Sequence, residues 1–238
     1  QLARIWADGP HRRGRDGSAL VARPFHRNAP SLVLAERKPQ HAPLQDSNDL
    51  YLGNIQKDGT YSVVPRMWGG VTNPSELRRI ADVADKYNVP MVKVTGGQRI
   101  DLLGIKKDDL PAVWKDLDMP SGHAYGKSIR TVKTCVGSEF CRFGTQNSTQ
   151  LGIELEHDLF NMWSPHKVKL AVSGCPRNCS EAGIKDVGII GVDSGWEMYI
   201  GGNGGIKTEV AEFFVKVKTA EEVLEYSGAF LQLYREEG

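Results

Sequence analysis

The sequence predicts an α+β fold. Two patterns indicate this class. In the first half, short runs rich in β-branched residues accompany amphipathic stretches that begin at helix-capping residues. In the second half, one long helical stretch is followed by several apolar strands and a last helix. The composition, 40% hydrophobic and 25% charged over 238 residues, is ordinary for a globular protein.

The first half predicts three strands and two helices. A strand is predicted at 61–65 (YSVVP). Asn73 is a typical helix N-cap, with Pro74 at the first helical position and Glu76 three residues on. Apolar residues follow at helical spacing: Leu77, Ile80, Ala81 and Ala84. Two strands and a short helix complete the set, at 90–94, 100–105 and 108–117. This β-α-β-β-α order is most of a ferredoxin-like unit.

The second half begins after Pro120 and mixes helices with strands. A helix is predicted at 145–160, with Leu151, Leu155 and Leu159 on one face. Apolar runs predict three strands, at 168–173, 187–192 and 196–200. Thr219 and Glu222 form a capping box that opens a last helix. Its inward residues are predicted to be Val223, Ser227, Phe230, Leu231 and Tyr234.

Charge and hydropathy exclude several classes of protein. The net charge of +1 gives no general reason to expect binding to nucleic acid or to a membrane. No apolar run approaches the roughly 18–20 residues of a spanning helix, and the N-terminus lacks the apolar region of a signal peptide. The cytoplasm is therefore the expected compartment. Its reducing chemistry argues against structural disulfides and leaves thiols free for metal.

Residues 1–45 differ from the rest of the chain. They carry eight Lys and Arg against three acidic residues, a charge of +5, and show no sustained period. We expect a disordered or linker-like arm. A nucleic-acid-binding arm is the alternative, although a dense basic patch is lacking, and a third interpretation is that the sequence starts inside a longer protein.

Four cysteines carry the strongest chemical signal. Cys135 and Cys141 form C-x5-C, Cys175 and Cys179 form C-x3-C, and 33 residues separate the pairs. Thiolates grouped in this way suit a soft metal centre. Structural zinc and disulfides are alternatives, but C-x5-C is wide for a zinc ribbon, and glycines beside the cysteines free backbone N–H groups to donate to cluster sulfides. An iron–sulfur cluster is therefore favoured.

Basic residues suggest an anion site near the cysteines. Lys167 and Lys169 are two apart at the start of the strand that leads to Cys175, so they share a face. Arg66, Arg99 and Arg130 lie near glycines or shortly before a cysteine. Each alone is an ordinary surface cation. Together they are able to bind carboxylates in bidentate fashion and to stabilise charge on a small anion.

Four segments resemble a known family. Residues 131–148 (TVKTCVGSEFCRFGTQNS) and 166–191 (HKVKLAVSGCPRNCSEAGIKDVGIIG) resemble the sirohaem-dependent nitrite and sulfite reductases. Residues 52–72 (LGNIQKDGTYSVVPRMWGGVT) and 94–105 (VTGGQRIDLLGI) resemble the same family's ferredoxin-like half-domain. The chain is most similar to the large subunits of bacterial assimilatory NAD(P)H-nitrite reductases. The resemblance implies a ferredoxin-like half-domain at 46–119 and an α+β sirohaem and iron–sulfur domain at 120–238.

The resemblance also implies cofactors and site residues. A 4Fe–4S cluster is expected on Cys135, Cys141, Cys175 and Cys179, with the sulfur of Cys179 also bridging to the iron of sirohaem. The family's basic substrate pocket, whose arginines also contact the cofactor, maps onto four residues: Arg66, Arg130, Lys167 and Lys169. Arg99 falls where a partner of a sirohaem carboxylate is expected. Because sirohaem carries eight carboxylates, clustered cations have a physical reason here.

The implied reaction is the six-electron reduction of nitrite to ammonia. The family's full large subunits carry flavin- and NAD(P)H-binding domains that this sequence does not resemble. FAD and NAD(P)H are therefore expected only through a missing domain or a partner, either an electron-donor flavoprotein module or a small subunit. A single ferredoxin-like half also suggests a homodimer, with the second half from another copy.

Other functions stay open from the sequence. Sulfite reduction to sulfide uses the same pocket chemistry, and an inactive, truncated metal-binding module is a different class. An electron-transfer ferredoxin is a third, but it would not need the paired lysines or the carboxylate-binding arginines.

Overall fold

The protein, represented by a computed structural model, is described here for residues 49–50 and 52–238. The arm predicted at residues 1–45 lies outside the described residues. The described part contains two five-stranded sheets, each with its own hydrophobic core.

The first sheet is antiparallel throughout, in the order β1-β2-β3-β5-β4. Its strands are β1 (Asp49–Leu50), β2 (Gly53–Ile55), β3 (Tyr61–Val63), β4 (Met91–Val94) and β5 (Ile100–Ile105). Helices α1 (Pro74–Lys86) and α2 (Leu110–Leu117) contribute buried residues to the core of this sheet, Ile80 and Val83 from α1 and Leu110 and Val113 from α2. The predicted β-α-β-β-α order is confirmed, while β1 and β2 were not predicted.

Local sequence explains where α1 begins. The side chain of Asn73 accepts hydrogen bonds from the backbone N–H groups of Ser75 and Glu76, both at 3.0 Å. This cap satisfies two of the four N–H groups that a helix start leaves unpaired, and Pro74 occupies a position where no N–H is needed.

The second sheet is mixed, in the order β10-β9-β8-β7-β6. Its strands are β6 (Lys133–Thr134), β7 (Leu170–Ser173), β8 (Val187–Val192), β9 (Gly195–Ile200) and β10 (Glu212–Val217). The pairs β6–β7 and β7–β8 are parallel, and β8–β9 and β9–β10 are antiparallel. The helices are α3 (Gly137–Phe140), α4 (Ser148–Asp158) and α5 (Ala220–Glu237).

Helices α4 and α5 bury the faces that the sequence predicted. Leu151, Leu155 and Leu159 are each at most 2% exposed. The capping box of Thr219 and Glu222 is present at the start of α5, and the five predicted inward residues are buried. Three elements of the second half were not predicted, namely β6, α3 and β10. The first two are too short to show a period. Strand β10 is an edge strand in which five of the six residues are half-buried or exposed, so its sequence lacks the alternation of a strand with one buried face.

A hydrogen-bonded seam joins the two sheets. The side chain of Gln98 donates to the carbonyl of Thr134 at 2.7 Å and accepts from its N–H at 2.8 Å. The hydroxyl of Thr134 donates to the carbonyl of Gly69 at 2.6 Å. On the other side of Thr134, a Cβ on Gly152 would lie 2.2 Å from its Cγ2, so α4 approaches the strand as closely as a glycine allows.

The described helices include none with the combination of length and apolar composition needed to cross a bilayer.

Candidate cofactor and anion site

Two of the cysteines follow neighbouring parallel strands. Cys135 comes directly after β6, and Cys175 comes two residues after β7. Because the carboxyl ends of parallel strands meet at one edge of a sheet, both lie at the same edge. The N–H of Gly174 donates to Sγ of Cys135 at 3.1 Å, which joins the two cysteine segments directly.

The segment that carries Cys141 folds back onto the same edge. The N–H of Cys141 donates to the carbonyl of Gly137 at 2.9 Å and closes α3. A Cβ on Gly144 would lie 2.5 Å from the carbonyl carbon of Gly137, and one on Gly174 would lie 2.7 Å from its Cα. Three glycines therefore let the loop of Cys141 pack against the segment that leads to Cys175.

Cys179 lies in a tight turn after Cys175. The N–H of Asn178 donates to the carbonyl of Cys175 at 3.2 Å, and the hydroxyls of Ser173 and Ser180 are 2.5 Å apart. These bonds anchor both ends of the turn to β7. Among the four cysteines, Cys175 is buried, Cys135 and Cys141 are half-buried, and Cys179 is exposed. The thiol that the family resemblance assigns to the shared position is thus the most accessible one.

Helix α4 begins beside Cys135. The hydroxyls of Ser148 and Thr149 donate to the carbonyl of Cys135 at 2.8 and 3.0 Å, and Oγ of Ser148 lies 3.2 Å from its Sγ. The N-terminus of a helix favours negative charge, and an N–H donor to sulfur does the same. This environment suits a thiolate ligand. Within residues 49–50 and 52–238, no three His, Cys, Asp or Glu side chains are close enough to hold one metal ion.

The three predicted arginines converge on one short segment. Nε of Arg66 donates to the carbonyl of Ser121 at 3.0 Å, and Nη1 of Arg99 donates to the carbonyl of Gly122 at 3.3 Å. Nη1 of Arg130 donates to the carbonyl of His123 at 2.6 Å. The backbone carbonyls of three successive residues, 121–123, therefore each accept a hydrogen bond from one of the three arginines. Arg66 and Arg99 come from the first sheet's side of the seam, and Arg130 comes from the second.

Arg66 is fully buried in an ion pair. Its Nη1 lies 2.6 Å from Oε1 of Glu156, and each of the two side chains is 1% exposed. Burial lowers the pKa of Arg66 and raises that of Glu156, and the attraction between the two charges opposes both shifts. In the part of the chain that the structure describes, Nη2 of Arg66 and Nε of Arg99 are buried without a hydrogen-bond partner. Two donors are thus left for a ligand.

The paired lysines lie beside Arg130. The N–H of Arg130 donates to the carbonyl of Val168, the residue between Lys167 and Lys169, at 2.9 Å. Burial lowers the pKa of the Lys169 ammonium group, and the charge of Lys167 lowers it further. The backbone N–H of Lys169 donates to Oδ2 of Asp186 at 2.7 Å.

The lysines and the cysteines lie at opposite ends of β7. Lys169 precedes the strand and Cys175 follows it. Six residues of extended chain correspond to roughly 20 Å at about 3.3 Å per residue. The sequence order suggested that the lysines lie next to the metal site, whereas β7 separates Lys169 from Cys175. Lys167, Lys169, the three arginines and Gln98 form a row that ends at Thr134 and Cys135, and we call this the cationic row.

Some residues of the site were missed by sequence reasoning. Glu156 holds Arg66, Gln98 binds Thr134, and the segment 121–123 receives the arginines. Lys133 and Lys185 both pair with Glu181, two residues after Cys179, at 3.1 and 2.9 Å. One signal was available for Glu156: it lies four residues after Gly152 on the buried side of α4, where a carboxylate needs a partner.

Comparisons with known proteins identify the family. The model of the nitrite/sulfite reductase ferredoxin-like half domain matches residues 54–120, and that of the nitrite and sulphite reductase 4Fe-4S domain matches residues 125–238. An assimilatory-type sulfite reductase of Nitratidesulfovibrio vulgaris is 34% identical over 183 residues, which cover 76% of this chain and 84% of the relative. The chain belongs to the nitrite and sulphite reductase family.

One further relative is more similar in sequence, and one solved structure shares the fold. An NAD(P)H nitrite reductase of Bacillus subtilis is 67% identical over 189 residues, which is 79% of this chain and 24% of that protein. The chain thus spans about a quarter of the length of this relative. The structure of the NirA protein of Mycobacterium tuberculosis superposes with a TM-score of 0.66 and 19% identity, over 77% of this chain and 37% of that one, which shows a shared fold.

Membership of the nitrite and sulphite reductase family implies sirohaem and a 4Fe–4S cluster. The residues in place are chemically suited to both groups, because a 4Fe–4S cluster takes each of its four thiolates on a different iron and does not need them to meet at a single ion. We call the edge of the second sheet that carries Cys135, Cys141, Cys175 and Cys179 the cysteine edge. It offers a thiol, that of Cys135, which already accepts an N–H bond and lies at a helix N-terminus. The cationic row contains buried guanidinium nitrogens that lack acceptors in the described residues, on both Arg66 and Arg99. A flat macrocycle with several carboxylates supplies acceptors for more than one such donor.

Proposed function

We propose that the chain is the sirohaem-dependent catalytic portion of an assimilatory nitrite reductase and reduces nitrite to ammonia with six electrons. The observation that carries the proposal is the 67% identity to an NAD(P)H nitrite reductase over 189 residues that include the cysteine edge and the cationic row. The cationic row, in which Arg66 and Arg130 are buried and which ends beside Cys135, supports it.

The proposed roles follow from the positions of the side chains. Cys135, Cys141, Cys175 and Cys179 would hold the cluster, and the exposed Cys179 would also reach the sirohaem iron. When bound, the cluster would supply electrons one at a time, and the macrocycle would supply an iron at which nitrite is reduced. Arg99 would bind a carboxylate of the macrocycle through its unpaired Nε.

The basic pocket would act on the substrate itself. Arg66, Arg130, Lys167 and Lys169 would bind the oxygens of nitrite, since cations held by the protein stabilise negative charge without reorganisation. Because burial and Lys167 lower the pKa of Lys169, its Nζ gives up a proton more readily than an ordinary lysine does. We assign Lys169 as the donor of a proton to the oxygen that leaves as an N–O bond breaks.

We make two more specific proposals, one about the electron donor and one about the assembly. A flavin- and NAD(P)H-binding module or a small subunit would deliver electrons to the cysteine edge. We also propose a homodimer. The separation of Lys169 from Cys175 along β7, roughly 20 Å at about 3.3 Å per residue, supports it, because a second copy would supply lysines to the cluster end. Light scattering of the reconstituted protein tests this, and a fully active monomer would exclude it.

The proposed compartment is the cytoplasm, whose reducing thiol pool keeps the cysteines available.

Sulfite reduction is the second candidate. One observation favours it: the chain covers 84% of an assimilatory-type sulfite reductase that is 34% identical. Turnover with a reduced viologen dye separates the two, because the dye replaces the donor. We expect anaerobically reconstituted protein to oxidise the dye faster with nitrite than with sulfite. Faster turnover with sulfite would replace the proposal, and no turnover with either by a protein that holds both cofactors would indicate an inactive module.

The pH dependence of nitrite turnover should report Lys169. Nitrite binds the protonated ammonium, so kcat/KM should fall as the pH rises through the pKa of Lys169. This pKa is below the ordinary 10.5 because of burial and Lys167. Lys167→Met removes a like charge, raises the pKa of Lys169 and should move the fall to higher pH. A pH titration of kcat/KM for both proteins measures the shift, and a movement to lower pH would contradict this assignment.

A further inference from the structure

Glu156 is a carboxylate buried at the seam between the two sheets. It lies on α4, and its side chain is 1% exposed. Oε1 accepts from Nη1 of Arg66 at 2.6 Å, while Oε2 accepts from the N–H groups of Gly69 at 2.9 Å and Val132 at 3.0 Å. Removing a carboxylate from water is costly, and these three bonds offset the cost. They also tie two segments of the chain, 66–69 and the one that contains Val132, to one helix.

The same bonds leave Arg66 with one orientation and one spare donor. Nε is held by the carbonyl of Ser121 and Nη1 by Glu156, while Nη2 is buried without a partner in the described residues. The rings of Phe160 and Trp68 pack against the guanidinium, with centroids 4.7 and 5.4 Å from its carbon. A planar group fixed on two of its three nitrogens directs the third at a fixed point.

We infer that Glu156 is a positioning residue: it fixes Arg66 so that Nη2 donates to an oxygen of the anion bound in the cationic row. The inference rests on the proposed function and adds a residue outside the predicted pocket. The group that accepts from Nη2 is an anionic oxygen. Its source is either nitrite or a carboxylate of the macrocycle, and the experiment below has an arm for each.

The charge of Glu156, taken alone, predicts the opposite effect on anion binding from a positioning role. Glu156 carries a negative charge beside a site for anions, so its removal would strengthen anion binding if the charge acted only through space. A positioning role predicts weaker binding, because a guanidinium without its partner loses the orientation that aims Nη2. The sign of the change therefore separates the two accounts.

Glu156→Gln is the suitable variant. The amide oxygen of glutamine still accepts from the N–H groups of Gly69 and Val132, so the seam keeps two bonds. The amide nitrogen then faces Nη1 of Arg66, donor against donor, and the ion pair is lost. The matched control is Glu154→Gln on the same helix, whose carboxylate accepts only from Gln150 among the bonds described.

The experiment compares reconstituted wild type, Glu156→Gln and Glu154→Gln with reduced viologen and nitrite. We expect Glu156→Gln to raise KM for nitrite about tenfold, equivalent to about 1.4 kcal/mol, with kcat changed less than about twofold. If the anion is a carboxylate of the macrocycle, sirohaem content falls instead at equal protein. Glu154→Gln should match wild type in both. Arg66→Lys, which keeps the charge and lacks Nη2, should reproduce the effect of Glu156→Gln. Where Glu156→Gln does not fold, Glu156→Asp takes its place: it keeps the negative charge on a shorter side chain that no longer reaches Nη1 of Arg66, so it should also raise KM, whereas an effect of charge alone would leave KM unchanged.

A second readout does not depend on turnover. In nitrogen-15 NMR of the protein without cofactors, the Nε–H of Arg66 is identified by its absence in Arg66→Lys. It should exchange slowly with solvent in wild type and at least about tenfold faster in Glu156→Gln. Unchanged KM, unchanged sirohaem content and slow exchange in Glu156→Gln would overturn the inference, and so would a lower KM. If wild type does not reduce nitrite, the proposed function fails, while sirohaem content and exchange still test the role of Glu156.

Discussion

Cys179→Ala is expected to abolish nitrite turnover. Cys179 is the exposed member of the cysteine edge, and the resemblance to the family assigns its sulfur to both cofactors. The chain contains no fifth cysteine that could replace it. Removing a residue that hydrogen-bonds to a metal ligand lowers activity roughly 10- to 100-fold. Removing the ligand itself should lower activity by a larger factor. Turnover with reduced viologen, iron content and the visible absorption of sirohaem measure the effect.

The control for Cys179→Ala is Arg177→Ala in the same turn. Arg177 is exposed, and its guanidinium packs on the ring of Phe143 at 4.1 Å. Its removal changes the turn's surface and charge without removing a thiol, so turnover should stay within about twofold of wild type. A Cys179→Ala protein with full cofactor content and full turnover would show that the cluster is held elsewhere.

Lys169→Ala should lower kcat for nitrite by about 100- to 1,000-fold, the range seen when one donor to developing charge is removed from an enzyme. Lys169 is half-buried beside Lys167 and Arg130 and is the proposed proton donor. Because it lies at the far end of β7 from Cys175, the variant should retain its cluster. Single-turnover reduction of nitrite and measured iron content check both parts.

A lysine on another strand provides the control for Lys169→Ala. Lys216 on β10 lies 3.6 Å from Glu197 and is exposed, so Lys216→Ala removes the same charge at the opposite edge of the sheet. Its turnover should equal that of wild type. Equal rates for Lys169→Ala and Lys216→Ala would mean that Lys169 does not act on the substrate.

Local signals were sufficient for most of the fold. The cap at Asn73, the leucine face of α4 and the capping box at Thr219 each have a physical cause that acts within a few residues. Strand β6 has only two residues, so it offers no period to detect. It forms because the main chain of Lys133 and Thr134 pairs with β7, a contact between distant parts of the chain.

The site was predictable as a set of residues but not as an arrangement. Spacing identified the cysteines and the family resemblance identified the basic residues, yet neither places Arg66, Arg99 and Arg130 on successive carbonyls. That convergence depends on how the first sheet docks on the second. The lysines illustrate the same limit. Lys169 is only six residues from Cys175 in sequence, but the extended strand β7 separates the two in space.

The convergence of the arginines on 121–123 has a consequence for assembly. Two arginines come from one sheet and the third from the other, so the cationic row exists only once the sheets have joined. Either sheet produced alone would lack it. With the macrocycle bound to this row as proposed, we expect its insertion to follow docking of the sheets and to lock them together by occupying donors that both contribute.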